Sequence, residues 1–124
     1  MPSEAYTLIW RAVRQRARLT FYYRDRQREC CPVVLGYAAD GREAVFAYQY
    51  AGASSGKLPQ SRCFMLAEIR DLRSNSGRWH EGTSHSQPQT CVRFVDVDAN
   101  IPDTLTRKAP LPFGSPELRP PRRG

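Results

Sequence analysis

The chain has 124 residues, of which 40% are hydrophobic and 25% charged, and its net charge is +7. This is the size and composition of one globular domain. No stretch approaches the roughly 20 apolar residues of a membrane-spanning helix, and the first residues, Met1–Glu4, lack the features of a signal peptide. We therefore expect a cytoplasmic protein that does not bind a membrane.

The positive charge is unevenly distributed along the chain. Residues 107–124 carry five basic side chains against one acid, Glu117, and so account for +4 of the total. Residues 11–28 carry seven arginines and one acid, Asp25. Arginine binds phosphate and carboxylate groups through two parallel hydrogen bonds. The segment 11–28 therefore favours an anionic ligand, whereas the net charge alone does not indicate nucleic acid.

One amphipathic helix is predicted at the N-terminus, from Glu4 to about Ala17, with Ser3 as its N-cap. The apolar residues that follow helical spacing are Ala5, Leu8, Ile9, Ala12 and Val13. Arginines occupy the opposite side. A solvated arginine face is the simplest interpretation of that side, although so many arginines also create a positive field.

Five short strands are predicted after the helix, because the apolar period changes from helical to alternating at Leu19. They cover residues 19–24, 28–38, 43–50, 62–66 and 71–74, and a helical turn is expected at 67–70. Pro32 lies inside the second strand, which predicts that this strand is at an edge or bulged there. Asp40-Gly41 is a hairpin signal. Tyr22 and Tyr23 should point to opposite faces, so at most one lies in the core.

The rest of the chain is predicted to be less regular. Residues 75–100 are interpreted as a polar linker followed by an added strand at 91–97, and the proline-rich residues 101–124 are expected to be disordered. Residues 1–74 then form the domain proper, a mostly β (α+β) fold with one helix. A small barrel or rolled sheet is favoured, since closure removes exposed strand edges.

The four cysteines are Cys30, Cys31, Cys63 and Cys91. An even count permits disulfides, but cytosolic thiols stay reduced. A zinc site would need closely spaced ligand pairs, and no CxxC is present; the two histidines, His80 and His85, lie in the linker. We therefore expect buried free thiols, and neither a metal nor a cofactor.

The order of these features resembles the WYL domain family, over roughly residues 5–73. The residues that carry the resemblance are Leu19–Arg24, Arg28, Pro32, Leu35, Gly41-Arg42, Val45, Ala47, Tyr48, Arg62, Phe64, Leu66 and Ile69. The family's name-giving tripeptide falls at Glu43-Ala44-Val45, and Glu68 stands where a basic residue is usual. No helix-turn-helix precedes the domain in this sequence.

The resemblance implies an SH3/Sm-like five-stranded barrel that senses a ligand, most often nucleic acid or a nucleotide. The binding residues that it implies are Tyr23, Arg24, Arg28, Tyr48, Tyr50 and Arg62. At two of these positions a structural role remains an alternative to ligand binding. Tyr23 is then a half-buried tyrosine of the barrel, and Arg62 is then a surface arginine paired with Glu68 or Asp71.

The function predicted from the sequence is therefore a regulatory binding module for single-stranded nucleic acid or a nucleotide. The alternative is a protein-interaction module that forms a homodimer or docks on a partner protein. Enzymatic activity is not expected, because no nucleophile, base and orienting group come together in the sequence. Ser54-Ser55-Gly56-Lys57 lacks the spacing of a phosphate-binding loop.

Overall fold

The computed structural model describes residues 2–52, 58–76, 79 and 89–118, and it is mostly β. One N-terminal helix precedes a six-stranded antiparallel sheet. The strands are β1 (Arg18–Tyr23), β2 (Arg26–Tyr37), β3 (Glu43–Gly52), β4 (Gln60–Met65), β5 (Ile69–Asn75) and β6 (Phe94–Asp98). The predicted α+β class is confirmed. Within the described residues, no helix is long and apolar enough to cross a membrane.

Helix α1 spans Glu4–Gln15 and is capped at both ends. The hydroxyl of Ser3 accepts a hydrogen bond of 3.1 Å from the backbone N–H of Tyr6, which confirms the predicted N-cap. Arg16 ends the helix in the left-handed conformation, with φ of 53°. The apolar stripe of the helix is buried, including Tyr6, Ile9 and Val13 at 0% exposure. The periodicity therefore predicted the helix and its first residue correctly, but it placed the end of the helix two residues too late.

The sheet has the strand order β4-β3-β2-β1-β5, and β6 pairs with the C-terminal half of β2. A 3₁₀ helix, Leu66–Glu68, joins the two outer strands β4 and β5. No backbone ladder joins β4 to β5 in the part of the chain that is described, so the sheet is not closed. The β2–β3 register shifts next to Pro32, so this proline marks a bulge in a central strand and not an edge.

The sheet is strongly curved. Phe21 on β1 and Phe64 on β4 are separated by two intervening strands, yet their ring centroids are 5.0 Å apart. Three strand spacings in a flat sheet would be roughly 14 Å. We call the side that carries Phe21 and Phe64 the concave face, and the side that carries Tyr22 the convex face. Tyr23 is 7% exposed and Tyr22 44%, which confirms that they point to opposite faces.

The segment between β5 and β6 covers part of the convex face. A Cβ on Gly36 would lie 1.9 Å from the carbonyl oxygen of Phe94, so only glycine permits this crossing. Val92 is fully buried there, and Cys91 forms a disulfide with Cys63 on β4. Residues 77–78 and 80–88 of the predicted linker lie outside the described residues.

The disulfide corrects the expectation of four free thiols. Cys30 and Cys31 form no disulfide and are buried, as predicted, but Cys63 and Cys91 are bonded to each other. The pair is 28 residues apart in sequence. Only the crossing of the chain over the convex face brings the two together, and no spacing rule would show that.

The C-terminal segment is predicted to be disordered from residue 101, but residues 101–118 have defined structure and contact the sheet. A 3₁₀ helix covers Pro102–Thr106. Further on, the hydroxyl of Tyr37 donates to the carbonyl of Leu111 at 2.6 Å, and the N–H of Leu111 donates to buried Asp96 at 2.9 Å. The side chain of Phe113 packs on Tyr37. The sheet thus supplies hydrogen-bond partners that the proline-rich segment lacks on its own. Residues 119–124 lie outside the described range.

Candidate anion-binding site

Arg28 is the most unusual side chain of the concave face, because it is a charged residue only 4% exposed. It lies on β2 directly opposite Phe21 on β1. The register therefore directs its side chain into the curve of the sheet. Its guanidinium carbon lies 5.8 Å from the centre of the Tyr23 ring and 5.7 Å from that of Phe64. These distances allow a cation–π contact with both rings.

The hydrogen bonds of Arg28 leave part of the guanidinium unsatisfied. Nη1 donates to Oε1 of Gln49 at 3.2 Å, and Nη2 donates to the carbonyl oxygen of Tyr23 at 3.4 Å. Nε is buried and has no hydrogen-bond partner. Gln49 is itself fully buried, and its Nε2 donates to the carbonyl of Ala51 at 3.1 Å. The side-chain amide of Gln49 is thus fixed by its own hydrogen bond, and it in turn orients the guanidinium of Arg28.

A second arginine faces the same region. Arg62 on β4 lies opposite Ala47, two residues before Phe64, and so belongs to the concave face. Burial lowers the pKa of Arg28, and the positive charge of Arg62 lowers it further. Within the described residues, no carboxylate lies within 4 Å of Arg28. Burying an unpaired charge beside a like charge is destabilising, and such arrangements are concentrated at functional sites.

Glu68, the acid that contacts Tyr23, does not pair with Arg28. It lies 3.6 Å from Nε of Arg24 and accepts a hydrogen bond of 3.3 Å from the hydroxyl of Tyr23. That hydroxyl also accepts from the N–H of Met65 at 3.2 Å. Arg24 is in the tight turn after β1, with φ of 51°, and its side chain is 71% exposed. Glu68 thus pairs with the exposed Arg24, and among the described residues Arg28 has no carboxylate as a counter-charge.

Tyr48 and Tyr50 do not belong to this group. Tyr48 lies between Ala47 and Gln49 on β3, so its side chain points to the convex face, where it is only 8% exposed. Tyr50 lies where the β2–β3 register shifts, and the guanidinium of Arg18 is 5.8 Å from its ring. Burial raises the pKa of Tyr50.

The structure therefore brings together three of the six predicted residues: Tyr23, Arg28 and Arg62. Arg24 is connected to them through Tyr23 and Glu68. Sequence reasoning missed Gln49, which fixes Arg28. A signal was available, because Gln49 is the only amide in the otherwise apolar and aromatic run from Ala44 to Tyr50. We refer to Tyr23, Arg28, Gln49 and Arg62 as the concave cluster.

Neither a protein-family model, nor a curated protein, nor a solved structure matches this chain. The relationship to the WYL domain family stays a prediction from the residues quoted above. In the described ranges, no group of three or more His, Cys, Asp or Glu side chains is placed to hold a metal ion.

Proposed function

We propose that this chain is a WYL-like, ligand-sensing module whose concave cluster binds the phosphate of a nucleotide or of single-stranded nucleic acid. The observation that carries the proposal is Arg28, a buried guanidinium that has no carboxylate within 4 Å in the described residues and an unsatisfied Nε. A phosphate would neutralise this charge and accept hydrogen bonds from N–H groups of the guanidinium that have no partner, such as Nε–H.

The proposed mode of binding follows from the two arginines. Arg62 is half-buried and therefore closer to solvent than Arg28, so it would contact the ligand first. Charge-assisted hydrogen bonds between guanidinium and phosphate are strong, and they are stronger still in a site of low dielectric constant. Gln49 would keep the Arg28 guanidinium in place while the anion binds.

We propose an SH3/Sm-like barrel as the scaffold of this site. The contact of Phe21 with Phe64 and the short 3₁₀ connection between the outer strands β4 and β5 support a sheet that rolls around its concave face. The hydrogen bond from the N–H of Met65 to the hydroxyl of Tyr23 links these outer regions through a side chain.

We propose binding without catalysis. Two cysteines that a nucleophilic mechanism would use, Cys63 and Cys91, are bonded to each other. Burial raises the pKa of Cys30 well above that of a reactive thiol. His80 and His85 lie outside the described residues, so no base has been located beside a nucleophile.

Fluorescence anisotropy with a labelled ATP analogue and with labelled single-stranded DNA and RNA, at low and moderate salt, tests the proposal. We expect Arg62→Gln to weaken binding about tenfold or more, since a hydrogen bond to a charged group contributes about 1.5–3 kcal/mol. Arg42→Gln is the matched control, because Arg42 is exposed and pairs with Asp40 at 2.7 Å. Absence of binding at low salt, or equal loss in both variants, would contradict the proposal.

An oligomerisation module is the second candidate, and the outer strands favour it. In the described part of the chain, β5 pairs on one side only, with β1. An exposed strand edge is a template for pairing with another chain. Light scattering over a range of protein concentrations separates the candidates: a monomer at every concentration excludes the homodimer.

A further inference from the structure

Among the described residues, the side chains on the convex face of β1 and β5 are exposed or half-buried, in contrast to the part of this face that the 92–94 segment covers. Tyr22 is 44% exposed and lies opposite Gln27 on β2 and Arg70 on β5. Two residues earlier, Thr20 lies opposite Arg73. Because paired residues share a face, the side chains of Tyr22, Arg70 and Arg73 project from one side of the sheet.

The two arginines of β5 are available for a ligand. Arg70 and Arg73 are exposed, and neither forms an ion pair or a side-chain hydrogen bond with any described residue. Two acids lie near them: the half-buried Glu29, opposite Thr20 on β2, and the exposed Asp71, in the bulge of β5 between the two arginines. Together with Arg18 on β1, the arginines outnumber these acids, so the surface around the exposed ring carries a net positive charge.

A third arginine extends this surface along β1. Arg18 lies on the same side as Thr20 and Tyr22, because the three alternate along the strand. Its guanidinium is 5.8 Å from the ring of Tyr50, and its buried Nε has no hydrogen-bond partner. We call Arg18, Tyr22, Arg70 and Arg73 the convex strip.

We propose that the convex strip binds single-stranded nucleic acid, with a base stacked on Tyr22 and phosphates held by the arginines. Neighbouring strands are about 4.8 Å apart, and alternate residues on one strand roughly 7 Å apart. A base on Tyr22 would thus leave its flanking phosphates within reach of the long side chains of Arg70 and Arg73. Duplex bases are already stacked and paired, so the strip favours unpaired strands.

This surface goes beyond the proposed concave site and does not depend on it. Arg62 and Tyr22 project from opposite faces of the sheet. The concave cluster offers one recessed pair of charges, whereas the convex strip offers an exposed ring with charges around it. The first suits a single phosphate, and the second suits a chain of nucleotides.

The test uses the full chain and single-stranded DNA that contains 2-aminopurine, whose fluorescence changes on stacking. Loss of one stacked base in Tyr22→Ala should weaken binding roughly five- to hundredfold and abolish the fluorescence change, whereas Tyr22→Phe should retain both. Arg73→Ala should lower the salt slope of single-strand binding by about 0.7 unit. Arg42→Ala is the control arginine and should bind as the parent chain does.

Three results would overturn the inference: unchanged binding in Tyr22→Ala, equal affinity for duplex and single strands, or full displacement by a poly-glutamate peptide at equal charge concentration. The last would assign the strip to an acidic protein segment. Arg62→Gln, measured in parallel with the labelled ATP analogue and with the DNA, gives the contribution of the concave site to the binding of each. Loss of ATP binding in Arg62→Gln with unchanged DNA binding in Tyr22→Ala would therefore retain the proposed function and reject the convex strip.

Discussion

Phe21 and Phe64 meet edge to face at 5.0 Å across the curve of the sheet, with an angle of 84° between their rings. Arg28 lies opposite Phe21 and within cation–π distance of Phe64. The contact between the two rings therefore creates the buried environment of the arginine. The curvature of the sheet, and not the local sequence, converts an ordinary strand arginine into a buried charge.

Substitution of Arg28 by methionine should leave the fold at least as stable. Methionine has a similar length, removes the unpaired charge, and packs well against aromatic rings. Replacing buried ion pairs by hydrophobic side chains is often neutral or stabilising by about 1–4 kcal/mol, and a buried charge without a counter-charge is less favourable than a pair. Urea unfolding of Arg28→Met measures this, and Gln49→Leu is the companion variant that leaves the charge in place. A loss of more than about 2 kcal/mol in Arg28→Met would show that the hydrogen bonds outweigh the burial penalty.

Gly36→Ala should destabilise the protein by about 1–3 kcal/mol through overpacking. The new Cβ would meet backbone atoms of Phe94, which cannot move without displacing β6 from β2. Gly114→Ala is a contrasting variant: nothing lies within 4 Å of its new Cβ, but its φ of +92° adds backbone strain that Gly36→Ala lacks, so it measures strain without overpacking. If Gly36→Ala unfolds at the same urea concentration as the parent chain, the 92–94 segment does not cross β2 as closely as described.

Reduction of the Cys63–Cys91 disulfide should lower the free energy of unfolding by about 3 kcal/mol. The bond closes a loop between residues 28 apart, and loops of this length restrict the unfolded chain by roughly that amount. Urea unfolding with and without reductant measures the difference. Cys91→Ala should remove the effect of reductant. Thiol titration of the unreduced, unfolded chain should give two reactive thiols from Cys30 and Cys31, and four would contradict the pairing.

The free energy of unfolding should fall at high pH, because deprotonation of the Tyr37 hydroxyl is less favourable in the folded chain than in the unfolded chain. Burial raises the pKa of Tyr37 to about 12, against about 10 in the unfolded chain. A raised pKa means that the contribution to stability is complete below about pH 10 and is lost as the pH rises through 12. Urea unfolding between about pH 9 and pH 12 should therefore show a steeper decline for the parent chain than for Tyr37→Phe. Equal declines would place the Tyr37 hydroxyl in contact with solvent.

Local patterns predicted the helix, the alternating strands and either an edge or a bulge at Pro32, because each depends on residues close in sequence. The same patterns placed Tyr22 outside and Tyr23 inside correctly. They could not predict that Arg28 meets Gln49, since this depends on the register between β2 and β3. Nor could they predict that Tyr48 and Tyr50 do not lie beside Arg28 on the concave face, because the bulges in β2 and β3 change which residues of the two strands share a face.

The C-terminal segment shows a different limit of sequence reasoning. Its proline content is typical of disorder, yet Leu111 bonds to both Tyr37 and Asp96. Tyr6 donates to the same carboxylate at 2.7 Å, and Asp96 is fully buried. The order of the segment thus depends on an acid of β6 that is buried against the helix, and the sequence of the segment alone gives no sign of this contact.

The unpaired charge of Arg28 also provides a direct way to search for an unidentified ligand. An anion that neutralises it binds the folded chain and not the unfolded one, so its presence must raise the melting temperature. At a hundredfold excess over the dissociation constant this linkage amounts to about 2.7 kcal/mol. A thermal-denaturation screen of mononucleotides, oligonucleotides and inorganic anions would rank these ligands by the rise in melting temperature that each produces. The same screen on Arg62→Gln would show which of the rises depend on the concave cluster.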